Sequence, residues 1–196
     1  GHFARIVSEP DKGIFEALNK GIALASGDII SILHADDLYA NPYVLERVAA
    51  LFAGTAADGV YGDLVYVRAQ HTGQVVRYWK AGEYQPAQLA QGWMPPHPAL
   101  FLRKVLYEKY GGFDEGFAIA ADYELMMRML GKHHISLAYL PEVLVRMRMG
   151  GASNKSISNI FRKMREDYQV MRKLQTGNWR TLARKTLSKL HQFVRR

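Results

Sequence analysis

The feature that most narrows the possible folds is one junction within residues 10–37. Apolar side chains at Ile14, Leu18, Ile22 and Ala25 recur every three or four positions, which predicts a helix over residues 10–25 with one buried face. Asp11 stands near its start, where a carboxylate complements the helix dipole. Ser26-Gly27-Asp28 is a stop signal, and Ile29-Ile30-Ser31-Ile32-Leu33 then reads as a short buried parallel strand. His34-Ala35-Asp36-Asp37 follows at once, before Asn41-Pro42 opens a second helix through Val44, Leu45, Val48, Leu51 and Phe52. Helix, strand, acidic turn, helix is the order of an α/β protein, here expected to be Rossmann-like with a mostly parallel sheet flanked by helices.

The rest of the chain is compatible with that class. Residues 59–67 read as a second strand, with residues 73–79 pairing to it as a hairpin through His71-Thr72-Gly73. Residues 92–98, with three prolines, predict an irregular loop. Residues 104–110 form a short helix stopped by Gly111-Gly112, with Phe113 as a core aromatic. A further helix is expected over residues 121–130 with Leu125, Met126, Met129 and Leu130 inward, and a strand over residues 135–140 ending at Pro141. A 196-residue chain buries roughly two thirds of its unfolded surface, enough for a core without covalent staples. It has no cysteine, which excludes thiolate nucleophiles, dithiol redox chemistry and cysteine-ligated metals. No long apolar run or basic leader is visible, so a cytoplasmic setting is the default expectation.

The net charge of +8 is unevenly spread. Residues 155–196 hold 12 basic and 2 acidic side chains, whereas the preceding part holds 14 and 16. This step separates a body, residues 1–153, from a basic helical extension, residues 154–196. In the extension Ile160, Phe161, Met164, Tyr168, Met171 and Leu174 form an apolar stripe among arginines and lysines. A second helix from Trp179 carries Leu182, Leu187, Leu190, Phe193 and Val194 in the same way. Such helices either lie on an anionic membrane surface or pack on the body or a partner subunit.

Two adjacent acids at the carboxyl end of a buried strand stand where α/β sheets open a ligand crevice. Side by side they repel, and a hard divalent cation such as Mg²⁺ or Mn²⁺, shared with phosphate oxygens, relieves that repulsion. The alternative is that Asp36 caps the following turn while Asp37 is solvated. Asp122, after the apolar run 117–121, either caps the next helix or faces the crevice and takes a proton from a hydroxyl group. Glu124 projects elsewhere on that helix. Trp79, Trp93 and Tyr78 either stack on a ligand ring or pack in the interior.

Taken together, Ser8-Glu9-Pro10-Asp11-Lys12-Gly13-Ile14, Asn19-Lys20-Gly21-Ile22, Gly27-Asp28, Ala35-Asp36-Asp37, Gly111-Gly112-Phe113-Asp114-Glu115 and Ala121-Asp122-Tyr123-Glu124 resemble, in order and spacing, family 2 glycosyltransferases of the GT-A fold. The resemblance covers residues 6 to about 153. It implies inverting transfer of a sugar from a nucleotide-diphosphate-sugar donor to a hydroxyl of a glycan or lipid-linked acceptor, with Mn²⁺ or Mg²⁺ as cofactor, in cell-surface polysaccharide or glycan biosynthesis. It makes Asp36 and Asp37 between them the metal and donor-ribose contacts, with either one as the acid that holds the metal, Asp122 the general base, and Asp11 and Lys12 contacts near the nucleotide. Arg146 and Arg148, in a segment similar to the family's closing stretch, would face the diphosphate, to which arginine forks are suited. His97 would lie on the acceptor side.

The sequence departs from the family pattern at two places. His34 occupies the first acidic position of the Asp-x-Asp-like motif, and the chain starts after the strands with which family members begin, so an N-terminally truncated sheet with an unpaired edge and a tendency to oligomerise is expected. The Gln-x-x-Arg-Trp motif of processive members is absent, which points to addition of single sugars. The competing function is a non-catalytic basic nucleic-acid-binding or assembly module, although no nucleic-acid-binding motif is present and no nucleic-acid partner is expected.

Overall fold

The computed structural model describes residues 4–150, 157–175, 179 and 181–183. The first helix, α1, spans Ile14–Leu24 rather than starting at Pro10. Its entry is held by the Glu16 carboxylate, which accepts the Lys12 backbone N–H at 2.5 Å. Ile22 is buried as expected, but Ile14 is exposed and Phe15 turns inward to stack on Phe113, ring centroids 5.4 Å apart. β1 is Ile29–Ser31, and the chain then reaches a two-residue strand, β2, at Leu38–Tyr39. Next come α2 (Val44–Gly54), β3 (Gly59–Val67), β4 (Val75–Trp79), β5 (Leu100–Arg103), α3 (Lys104–Tyr110) and α4 (Ala121–Met127). A π-type turn, Arg128–Lys132, extends α4, and β6 (Leu137–Arg148) and α5 (Ile157–Leu174) complete the order. No side chain caps α2. The helix is held by Val44, Val48 and Phe52, all buried on one face; at roughly 1.5–3 kcal/mol each, their burial outweighs the ~1 kcal/mol that a cap contributes.

The strands form one sheet in the order β1-β5-β3-β6-β2, with β4 also on β3. β3 is the spine, with eight of its nine residues buried, because helices or loops cover both of its faces. On one face Tyr61 joins a core built from α1, α3, α4 and α5; on the other Val60 and Leu64 meet α2. The α/β architecture is as expected, but the mostly parallel pairing is corrected. β1, β3 and β6 share a direction, yet only β3 and β6 pair in parallel, since β5 inserts antiparallel between β1 and β3. Among the described residues β1 is paired on one side only. The hairpin of β3 and β4 forms as expected, turning through His71–Gln74.

β6 corrects a second expectation, because it runs through Pro141 instead of ending there. The register against β3 shifts between Gly62 and Leu64, so Pro141 and Glu142 sit in a bulge where a missing N–H costs no ladder bond. A Cβ at Gly62 would lie 2.5 Å from Leu144 Cγ and 2.8 Å from the Glu142 carbonyl oxygen, which explains the glycine opposite this bulge.

α4 is seated by an ion pair that the sequence places four residues apart. Glu124, 1% exposed, accepts from Arg128 Nε and Nη2 at 3.0–3.2 Å, while Arg128 also donates to the carbonyls of Tyr110, Gly111 and Gly112. Asn19 of α1 completes the seat, accepting the Phe113 N–H at 2.8 Å and donating to the Phe113 carbonyl at 2.9 Å. It passes so close to Gly112 that a Cβ there would lie 2.3 Å from its Oδ1. The two glycines are therefore more than a helix stop: Gly111 adopts φ +87° and Gly112 admits Asn19. Arg128→Ala leaves the Glu124 carboxylate, among the described residues, with Lys173 as its one ion-pair partner, 3.7 Å away. It is expected to lower the unfolding free energy by about 3 kcal/mol, read by urea titration; a loss below about 1 kcal/mol would show that the pair carries no such weight.

Candidate active site

Pairing geometry brings separate sequence motifs to one end of the sheet. Because β5 runs antiparallel to β1, with Ser31 opposite Phe101, the start of β5 lies beside the end of β1. His97, in the short 3-10 turn before β5, therefore meets His34, with ring centroids 6.5 Å apart. His97 also packs edge-on against Phe113 at 5.6 Å. The His97 imidazole is buried, and burial is the main reason its pKa falls below the ordinary histidine value; His34 acts in the same direction and Asp122 opposes it. Asp122 is thus within electrostatic reach of His97. It sits half-buried on the second residue of α4, its Oδ1 accepting the Tyr123 N–H at 2.7 Å.

The acidic turn is fixed from the other side by β2, an element too short for periodicity to reveal. Leu38 pairs with Arg146 and Tyr39 with Val145, which brings Asp37 to β6, where its Oδ1 accepts the Arg148 N–H at 3.3 Å. The turn closes on itself through the Asp37 N–H to the His34 carbonyl, 2.9 Å. Asp37 is 5% exposed while Asp36 is exposed, so the two neighbours have different environments. Burial pushes the Asp37 carboxyl up; the Arg148 N–H and the charges of His34 and Arg148 oppose that, and Asp36 adds to it. Asp37 Oδ2 and Arg148 Nε are both buried without a hydrogen-bond partner among the described residues. Among the described residues no three His, Asp or Glu side chains gather into a ready-made metal cage. Two neighbouring carboxylates, Asp37 buried and Asp36 exposed, are the oxygen donors this turn offers, the number of protein carboxylates with which a hard divalent cation is commonly held.

The remaining candidates lie further out. Arg146 donates to the Thr72 carbonyl of the hairpin at 3.1 Å. Asp11 accepts from Lys20 Nζ at 2.8 Å in a cluster with Glu9 and Glu16, and this cluster borders a cleft of about 640 Å³ between residues 4–11 and α1. Lys12 is exposed at the mouth of α1. Tyr78 donates to the buried Asp63 at 2.6 Å, Trp93 donates to the Ala81 carbonyl at 3.0 Å and stacks on Tyr84, and Trp79 packs partly into the core beside β3. Residues 151–153 of the glycine-rich closing segment lie outside the described residues. Asn19 and Arg128 were not singled out from sequence as site residues, although the Glu124-x-x-x-Arg128 spacing is a visible pairing signal.

Of the two expected readings of α5, packing on the body holds for part of its stripe. Met171 is buried and Met164 and Leu174 are half-buried against the body, so much of the stripe is occupied by the protein's own core. Phe161, 68% exposed, Arg165, Tyr168 and Arg172 form the outward row. Leu182 packs against the core and Trp179 is exposed. The expected boundary at residues 153 and 154, the Ile160 side chain, and Leu187, Leu190, Phe193 and Val194 lie outside what is described.

The acidic turn, the buried histidine and the helix-borne carboxylate thus lie at one end of the α/β sheet. The sequence profile of glycosyl transferase family 2 matches residues 1–119, and the chain belongs to that family. It is 35% identical over 133 residues to an uncharacterized glycosyltransferase of Mycobacterium tuberculosis (strain H37Rv), covering 64% of this chain and 47% of the relative. It is 27% identical over 158 residues to a PGL/p-HBAD biosynthesis glycosyltransferase of Mycobacterium bovis (strain BCG), covering 79% and 59%. In fold it resembles S. aureus TarS 1–349 in complex with UDP-GlcNAc, with a TM-score of 0.59 at 16% identity over 83% of this chain and 46% of that one. The chain spans about half the length of the relatives it matches.

The His97 environment sets a pH dependence. With its folded pKa depressed, His97 contributes stability that is present above the unfolded value of about 6.5 and is lost as pH falls through the folded value. The wild-type chain is expected to lose more thermal stability between pH 7 and pH 5 than His97→Gln. Equal losses would mean that His97 is not held neutral by burial.

Proposed function

We propose that this chain carries the catalytic portion of an inverting glycosyltransferase, which moves one sugar from a nucleoside-diphosphate donor to an acceptor hydroxyl. The observation that carries this reading is the buried Asp37 Oδ2 near Arg148 Nε, neither with a hydrogen-bond partner among the described residues, with His97 and Asp122 at the same end of the sheet. A buried carboxylate oxygen and a buried guanidinium nitrogen, each with a bonding position open toward the same end of the sheet, fit a ligand that brings both a cation and phosphate oxygens. The binding of UDP-GlcNAc by TarS, a protein of similar fold, supports a nucleotide-sugar donor.

In this reading Asp37, assisted by Asp36, would hold Mn²⁺ or Mg²⁺, which would supply positive charge against the diphosphate. Arg148 lies beside Asp37 to engage a phosphate oxygen, and Arg146 keeps the strand end in place through Thr72. Asp122 accepts the acceptor hydroxyl proton as that oxygen bonds to the anomeric carbon. The bond from that carbon to the phosphate oxygen breaks in the same displacement, the nucleoside diphosphate leaves with the electron pair, and the configuration inverts. His97, neutral and packed on Phe113, lines the acceptor side. Asp11 and Lys12, beside the cleft near α1, would lie toward the nucleotide.

A panel of nucleotide sugars with Mn²⁺ tests this reading by thermal shift and transfer. At least one donor is expected to raise the melting temperature only with metal, and Asp37→Ala to abolish that shift. Asp122→Asn is expected to keep the shift and lower transfer by about 10²-fold or more. Retained turnover would remove Asp122 from the base role, and a panel without any metal-dependent shift would sink the donor site.

No helix among the described residues is long and apolar enough to cross a membrane. Membrane contact, if the acceptor is lipid-linked, falls to the row Phe161, Arg165, Tyr168 and Arg172, which pairs aromatic anchors with cations as an anionic interface requires. This reading places the enzyme peripherally on the cytoplasmic face, in glycan biosynthesis, the context for which the M. bovis relative is named. Sedimentation with phosphatidylglycerol vesicles is expected to show binding at low salt that weakens at high salt, and no binding at either salt rejects it.

A further inference from the structure

The basic segment 155–196 contains only two acids, Glu166 and Asp167, and α5 buries both, at 7% and 4% exposure, while its arginines face outward. A buried carboxylate must be matched by donors, and Glu166 is matched closely. Its Oε2 accepts the N–H groups of Ile119 at 2.8 Å and Ala120 at 2.9 Å; its Oε1 accepts the Ala118 N–H at 3.4 Å and Arg162 Nε at 3.0 Å. Three successive backbone amides thus converge on one side chain from a helix distant in sequence. Burial alone would push the Glu166 carboxyl up, but the amides of Ile119 and Ala120, with Arg162 and Ala118, outweigh it and hold it below the ordinary glutamate value.

The segment so held leads straight into the candidate base. Ala120 precedes α4, its carbonyl accepts the Glu124 N–H at 2.8 Å to close the first helical turn, and Asp122 is the second residue of that turn. Ala120 and Ala121 are fully buried, which leaves the backbone little room to settle differently. Two turns further along α5, Lys173 bonds Asp114 at 2.6 Å and approaches Glu124 at 3.7 Å. α5 therefore grips residues 114–124 before and after the base.

We propose that Glu166 is a positioning residue for Asp122: α5 is a strap whose carboxylate sets where α4 begins and so where the base stands. The inference rests on reading Asp122 as the general base. A positioning role predicts loss in the chemical step with donor binding intact, since displacing a catalytic group by about 1 Å can cost on the order of 10²-fold in rate.

The test is Glu166→Gln in the full chain, followed by backbone amide exchange and steady-state transfer. Exchange of the 118–120 amides is expected to speed up. The kcat is expected to fall about 10- to 100-fold, with the donor KM and the metal-dependent thermal shift within about twofold of wild type. Faster exchange with unchanged kcat would show that Glu166 is a structural cap only, and unchanged exchange would show that it does not hold the segment; either overturns the proposal. Should Glu166→Gln fail to fold, Glu166→Asp keeps the charge but is one methylene short, and a smaller fall in kcat is expected, while wild-type kcat with loosened amides overturns the role. If wild-type chain binds donors but Asp122→Asn transfers as well as wild type, the base assignment fails and takes this inference with it; the exchange result separates that failure from failure of the clamp.

Discussion

The buried pair of Glu124 and Arg128 is the interaction on which the arrangement of the site depends. A carboxylate withdrawn from water is tolerable only with a donor fork against it, and the Arg128 guanidinium supplies that fork while also satisfying the carbonyls that end α3. One side chain thereby joins the start of α4 to the Gly111-Gly112 bend, and Asn19 joins that bend to α1. Three stretches that look like separate motifs in the chain become one rigid mount, and Asp122 is carried on it. The conformational freedom of Gly111 and the missing Cβ of Gly112 are requirements of this mount.

The acidic turn is mounted independently, on the sheet. The antiparallel entry of β5 sets His97 against His34, and the two-residue pairing of β2 with β6 sets Asp37 against Arg148. The site therefore combines a rigid strand-borne half, with unpartnered buried polar atoms on Asp37 and Arg148, and a helix-borne half held by carboxylates that are fully partnered. Buried polar groups without partners are costly, and among the described residues those of Asp37 and Arg148 stand where the chemistry is proposed.

Much of the local structure was legible because it rests on short-range rules. The periods of α2 and α3, the hairpin turn at residues 71–74 and the inward face Leu125, Met126, Met129 and Leu130 all follow from side-chain spacing and turn chemistry. Readings failed where a distant partner decided the outcome. Pro141 looked like a strand end because the bulge that absorbs it belongs to the pairing with β3. Ile14 looked buried because the period extended to it, whereas Phe113 recruited Phe15 instead. For the α5 stripe two readings stayed open, because the core that takes Met171 comes from other elements.

The order of acids, glycines and apolar runs along the chain determined the family, the α/β class and the identity of Asp36, Asp37, His97 and Asp122 as candidates, since each is set by residue type and near neighbours. Only the tertiary structure decided that Asp37 is the buried acid and Asp36 the exposed one, that Arg148 rather than Arg146 lies beside Asp37, and that Glu166 reaches the segment before Asp122. Those outcomes depend on strand pairing, register and helix docking, which bring together residues far apart in the chain, and local preference carries no information about such distances.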